Sequence, residues 1–132
     1  MNAVKVIIAG PRDYHDYISV LMAMHLCGFQ VTEVVSGRAR GVDTMGERWA
    51  DEHGIPIKPF LAEWDKFGKS AGMRRNGQMA NYADAAVVLW DGYGRGSGNM
   101  RQQMLDRKKP LFVYGIRGYR AGGRNGKGRR YN

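Results

Sequence analysis

Three short segments of this 132-residue chain combine glycine with arginine and acid in a way suited to holding a phosphate. The first is Ser36-Gly-Arg-Ala-Arg-Gly-Val-Asp43, between an apolar run and a helix-like stretch. Its glycines let backbone N–H groups approach an anion, and a helix N-terminus adds partial positive charge. Arg38 or Arg40 can neutralise a phosphate, with bidentate geometry. Asp43 either caps the helix or binds a ribose hydroxyl. The plain alternative for the segment is a tight turn between strand and helix. The second segment, Asp91-Gly-Tyr-Gly-Arg-Gly-Ser-Gly98, has four glycines in eight residues and repeats the device, unless it is only a flexible surface loop. The third, Gly10-Pro-Arg-Asp13, sets a charged pair directly after an apolar run. Arg12 and Asp13 either pair with each other at the surface, which is worth little, or serve a ligand, with Arg12 over it and Asp13 orienting it or capping a helix.

Trp64-Asp65 and Gly68-Lys-Ser-Ala-Gly-Met-Arg-Arg-Asn76 form a polar insert with one aromatic. Trp64 stacks on a base or belongs to a core or lid. Arg74, Arg75 and Asn76 line a site or form an ordinary solvated helix face. No metal site is expected, because His15, His25, His53 and Cys27 lack ligand spacing. No cofactor and no Ser-His-acid arrangement is indicated.

These segments need elements to hold them. Val4–Ala9 and Val31–Val35 are β-branched runs that read as strands, Ile55–Phe60 as a shorter one, Ala85–Trp90 as the clearest core strand and Pro110–Tyr114 as the last. Helix-like stretches at Tyr14–Leu26, Val42–His53, Gly68–Tyr82 and Asn99–Lys108 alternate with them. That alternation predicts a three-layer α/β domain with a mostly parallel sheet of about five strands, helices on both faces and right-handed crossovers. In such sheets ligands sit beyond the carboxyl ends of the strands, where all three glycine segments would converge.

Composition narrows the class. Apolar residues make up 43% and charged residues 25% of the chain, as in an ordinary globular domain. One cysteine allows no internal disulfide, which is compatible with a reducing cytoplasm. The apolar runs are too short to span a bilayer, no membrane partner is expected, and the N-terminus reads as a strand rather than a secretory leader. Six bases and no acid lie beyond Tyr114: Arg117, Arg120, Arg124, Lys127, Arg129 and Arg130. They supply six of the nine net positive charges, so the preceding body carries only +3. Residues 1–115 are therefore expected to form the domain and 116–132 a basic, disordered tail.

Five segments in order, Ile8-Ala-Gly-Pro-Arg-Asp-Tyr14, Ser36–Asp43, Trp64-Asp65, Gly72-Met-Arg-Arg-Asn76 and Leu89–Met100, resemble the YspA-like branch of the SLOG superfamily. That superfamily includes the DprA/Smf DNA-binding proteins and the LOG (lysine-decarboxylase-like) proteins. The resemblance implies a Rossmann-like fold, a nucleotide or nucleotide-derived small molecule as ligand, a homo-oligomer (dimer or larger), and a bacterial or bacteriophage source. It implies that Gly10, Arg12, Asp13, Ser36, Gly37, Gly41, Asp43, Arg75, Asn76, Asp91, Gly92, Arg95, Gly96 and Ser97 line the pocket. Two departures stand out. LOG phosphoribohydrolases carry Gly-Gly-x-Gly-Thr-x-x-Glu with a catalytic Glu, whereas the matching position here is Met100, whose thioether is neither acid nor base. Pro11 also takes the place of a small residue and removes a backbone donor.

The leading expectation is a module that senses or sequesters a phosphate-bearing nucleotide. In it loop amides hold phosphate, Arg12, Arg40 and Arg95 balance charge, and Asp43 or Asp91 contacts ribose. A second expectation is a nucleotide N-glycosidase using Asp13, Asp43 or Asp91. A third is a DNA- or RNA-binding protein, with weak contact through the basic tail.

Overall fold

The computed structural model describes residues 3–122 and 126–132. Six strands form one sheet in the order β3-β2-β1-β4-β5-β6. The strands are β1 (Ala3–Ala9), β2 (Gln30–Ser36), β3 (Ile57–Pro59), β4 (Ala85–Trp90), β5 (Leu111–Gly115) and β6 (Gly128–Tyr131). The first five pair in parallel, and β6 is antiparallel to β5. The helices are α1 (Tyr17–Leu26), α2 (Val42–Glu52), α3 (Trp64–Phe67), α4 (Ala71–Tyr82) and α5 (Arg95–Asp106), with a 3₁₀ turn at Gly68–Ser70.

The alternation of β1 explains the layers. Val6 and Ile8 join a core with Val20 and Met24 of α1 and Val42 and Met45 of α2. Ile7 and Ala9 face the other way, into a core with Met79 and Ala80 of α4 and Met100 and Met104 of α5. A strand covered on both faces needs no polar alternation, and in β4 every residue from Ala85 to Leu89 is fully buried. This is the three-layer, mostly parallel α/β architecture expected from the sequence. Order runs outward from β1 in both directions, so the chain reverses between β1 and β4, the switch point at which such sheets open a crevice.

Local chemistry sets the helix ends. Asp16 caps α1 by accepting from Ile18 N at 3.1 Å and Ser19 Oγ at 3.2 Å, so the helix begins at Tyr17 rather than Tyr14. Ile18, Leu21, Met22 and Leu26 remain exposed on α1. The short α3 has too few residues to show a period, and the sequence reading missed it. Among the described residues no helix is long and apolar enough to cross a membrane.

The segment expected to be a disordered tail departs most from the sequence reading. Ile116 is buried, and its N–H donates to Trp90 O at 3.0 Å. β6 then pairs with β5 from Leu111↔Tyr131 to Tyr114↔Gly128. Its residues are basic, yet aromatic faces and a carbonyl receive them. Arg130 donates to Cys27 O at 3.2 Å with its guanidinium 4.5 Å from the Phe29 ring, and Arg129 sits 4.6 Å from the Tyr131 ring. Arg124 lies outside the described residues.

Candidate functional site

A cavity of about 810 Å³ opens at the carboxyl ends of β1, β2 and β4. Three loops and α3–α4 wall it, and each loop is held by its own bonds.

The β1 and β2 loops are locked together. Val42 N donates to Pro11 O at 3.2 Å, drawing the start of α2 onto the β1 loop. That approach leaves no room for side chains. A Cβ on Gly10 would lie 2.7 Å from Val42 Cγ2, and one on Gly41 would lie 2.4 Å from Pro11 O. Gly41 also has φ +73°, a conformation that favours glycine. It is the N-cap of α2 and leaves that terminus without a side-chain cap. The first N–H groups of a helix have no intrahelical partner; Val42 N is taken by Pro11 O, which leaves those of Asp43 and Thr44 for an anion.

Five side chains brace the β2 loop. Ser36 Oγ donates to Glu47 Oε2 at 2.6 Å and accepts from Arg38 N at 3.1 Å, while Arg38 Nε pairs with Glu47 Oε2 at 3.2 Å. Asp43 Oδ2 accepts from Ala39 N at 3.2 Å, and Arg75 Nη1 donates to Gly37 O at 2.5 Å. Asp43 is buried, and desolvation pushes its carboxyl up to about 6, against the pull of the Ala39 N–H and Arg75. Burial likewise lowers the pKa of Arg75, partly offset by Asp43.

The β4 loop is built on Asp91. Its Oδ1 accepts from Tyr93 N and Gly94 N, both at 2.8 Å, and these bonds hold its carboxyl below the usual range. Gly94 caps α5 without a side-chain bond, and Trp90 Nε1 donates to its carbonyl at 2.9 Å. Arg117 joins the β4 loop to the β1 loop. Its Nη2 lies 3.1 Å from Asp13 Oδ1 and its Nη1 3.6 Å from Asp91 Oδ2. On the α4 side, Asn76 Nδ2 donates to Gly96 O at 3.2 Å and to Asn99 Oδ1 at 3.1 Å.

The cavity is thus lined by the uncapped starts of two helices and by six cations, Arg12, Arg38, Arg40, Lys69, Arg75 and Arg117, against three acids. Among the described residues, Arg12, Arg40 and Lys69 have no hydrogen-bond or ion-pair partner. A wall with excess positive charge and backbone donors at helix starts has the chemistry to hold an anion.

The matching segments have counterparts in known proteins. The model of the YspA, cpYpsA-related SLOG family matches residues 4–67. The Gene 61 protein of Mycobacterium phage D29 is 36% identical over 123 residues, spanning 84% of this chain and 96% of the phage protein. The chain belongs to the YspA, cpYpsA-related SLOG family. Its fold is also that of DNA processing protein A (DprA) from Streptococcus pneumoniae, with a TM-score of 0.68 at 19% identity. The match covers 90% of this SLOG chain and 52% of the DprA chain, so the chain spans about half of that protein.

Of the residues expected to line the pocket of this SLOG domain, Gly10, Arg12, Asp13, Gly37, Arg40, Asp43, Arg75, Asn76, Asp91, Gly96 and Ser97 do line the cavity. Four do not. Ser36 is buried behind the loop on Glu47. Gly41 has its open side filled by the Pro11 carbonyl. Gly92 turns towards Tyr119, whose Cδ1 would lie 2.8 Å from an added Cβ. Arg95 is exposed at the first position of α5, outside the wall. That helix begins inside the glycine-rich run, so Arg95–Gly98 is helix rather than loop. Arg12 and Asp13 do not pair with each other, since Asp13 pairs with Arg117. Asp43 is not the N-cap of α2 but reaches back to Ala39 N from its first turn.

Sequence reasoning missed Lys69 and Arg117 as wall residues. Lys69 stands in the polar insert flagged before α4, and that insert was its only signal. Arg117 had none, because its part depends on β5 returning the chain beside two loops about 26 and 104 residues away.

Proposed function

We propose that this SLOG domain binds a phosphate-bearing nucleotide or nucleotide-derived molecule in the cavity at the β1–β4 switch point and senses or sequesters it. The observation that carries this reading is the convergence of two uncapped helix N-termini with Arg12, Arg40 and Lys69, cations without partners among the described residues. Backbone N–H groups at both helix starts would take phosphate oxygens, the three cations would balance charge, and Asp43 or Asp91 would receive ribose hydroxyls. The cavity volume suits a ligand of nucleotide size. Family membership supports the same class of ligand. Self-association and a cytoplasmic setting belong to this proposal, and the apolar residues exposed on α1 offer surface for a second copy.

One observation favours turnover. Asp43 is a buried carboxyl at the cavity with its pKa near 6, where a general acid or base works well. Met100, buried in the cavity wall, supplies no such group.

Native mass spectrometry of the purified protein, followed by incubation with nucleoside mono- and diphosphates, cyclic nucleotides, NAD and ADP-ribose, separates the readings. Retention of an intact nucleotide, or binding without change, is the expected result. A released base or ribose phosphate would instead assign hydrolysis. A blank across the panel would sink both.

A further inference from the structure

The cavity lining has two chemical parts. The starts of α2 and α5 offer N–H groups and cations. Leu61, Trp64 and Met73, from the segment before α3, α3 and α4, line the same cavity with large apolar side chains left open to solvent, at 69%, 54% and 40% exposure. One exposed apolar residue needs no explanation. Three together on one wall of a charged cavity mark a contact surface.

The wall is built rather than incidental. Trp64 opens α3 and leans over the start of α4, where a Cβ on Gly72 would lie 3.4 Å from its Cη2. The other two tryptophans are engaged elsewhere. Trp49 stacks on His53 at 4.4 Å between centroids, and Trp90 meets Tyr119 edge-on at 5.4 Å. Trp64 has no aromatic partner among the described residues. Lys69, which also lines the cavity, follows it on the 3₁₀ turn.

We infer that the Leu61–Trp64–Met73 wall seats the planar base of the ligand, with Trp64 as the stacking platform. This rests on the nucleotide-binding reading above and narrows it: the ligand carries a base, and sugar phosphates or bare polyphosphates are poor substitutes. A flat apolar wall accepts any π-face, so it selects for the presence of a base and not for which base. A protein partner fits less well, because the apolar surface lies inside a cavity that also carries six cations.

The test is calorimetric titration of the wild type, Trp64→Ala and Trp64→Phe with ADP and ADP-ribose, and with inorganic pyrophosphate and ribose 5-phosphate as base-free probes. The wild type should bind at least one base-bearing probe at least tenfold tighter than either base-free probe. Trp64→Ala should weaken that probe about tenfold and leave pyrophosphate unchanged, and Trp64→Phe should restore most of the loss. The Trp64 share of the indole fluorescence, taken as the difference between the wild type and Trp64→Phe, should change with the base-bearing probe only. Equal binding of probes with and without a base, or equal loss for both in Trp64→Ala, overturns the base wall and leaves the phosphate site standing. No binding of any probe overturns both.

Discussion

The β2 and β4 loops do the same job by opposite means. Each ends at a glycine-capped helix and each carries one acid facing the cavity, Asp43 or Asp91. The β2 loop is packed from behind by Ser36, Glu47 and Arg75 and buries its carboxyl. The β4 loop leaves its carboxyl partly open, satisfied by two N–H groups of its own turn and by Arg117. Burial raises the pKa of one acid and hydrogen bonding lowers that of the other. One acid can therefore change charge near neutral pH while the other stays ionised and structural. The lesson is that similar glycine-rich motifs specify similar backbone shapes but not similar electrostatics.

The largest effect should come from breaking the β2 loop at its hinge. Gly41→Ala demands a left-handed conformation and puts a methyl against the Pro11 carbonyl. It should cost roughly 3 kcal/mol and lower Tm by about 10 °C, read by thermal melts. A substitution at Gly92 tests the other loop, where the obstacle is the Tyr119 ring rather than a carbonyl. It should be the milder of the two.

The next effect is the pH response. Asp43 has a folded pKa near 6, above its unfolded value of about 3.8. The protonated form is favoured in the folded state, so its contribution to stability grows as pH falls through 6 and levels off below about 4. The full span is on the order of 3 kcal/mol. Asp91 works the other way: its stabilisation is present above its unfolded pKa and is lost on acidification below it. Between pH 7 and 5 the Asp43 contribution should dominate. Affinity for ADP-ribose, whose pyrophosphate does not titrate in this range, should rise on acidification as Asp43 loses its charge. Asp43→Asn should flatten both responses. A slope unchanged in Asp43→Asn would assign them to another group.

The smallest effect should follow loss of the latch on the β4 side. Arg117 is an exposed partner of Asp13 and Asp91, so Arg117→Ala should change stability by only about 0.5 kcal/mol. Nucleotide affinity should fall a few-fold, because the guanidinium also lines the cavity. A stability loss as large as that of Gly41→Ala would mean that Arg117 holds the fold and not merely the loops.

Much of this was legible in the sequence because it is local. The β-branched runs of β1 and β2, the apolar run of β4 and the glycine segments that end them fixed the parallel sheet and its functional edge. What could not be read depends on distant partners. β6 has no apolar alternation and pairs because β5 offers it an edge and Phe29 and Cys27 receive Arg130. Arg117 becomes part of the wall for the same reason. Within the glycine segments, composition signalled a phosphate loop but could not separate Gly37, which faces the cavity, from Gly92, which packs against Tyr119. Helix start Arg95–Gly98 was hidden by glycines that discourage helix in isolation.

The central claim is that the two helix starts hold phosphate, and backbone amide NMR tests it most directly in a chain of 14.8 kDa. Pyrophosphate and the tightest-binding nucleotide would be titrated into ¹⁵N-labelled protein. The largest shifts should fall on the amides of Ala39–Thr44 and Gly94–Gly98, with the nucleotide alone also moving the Trp64 side-chain N–H. Shifts concentrated on β6 or α1, or amides at both helix starts unmoved at saturation, would contradict it.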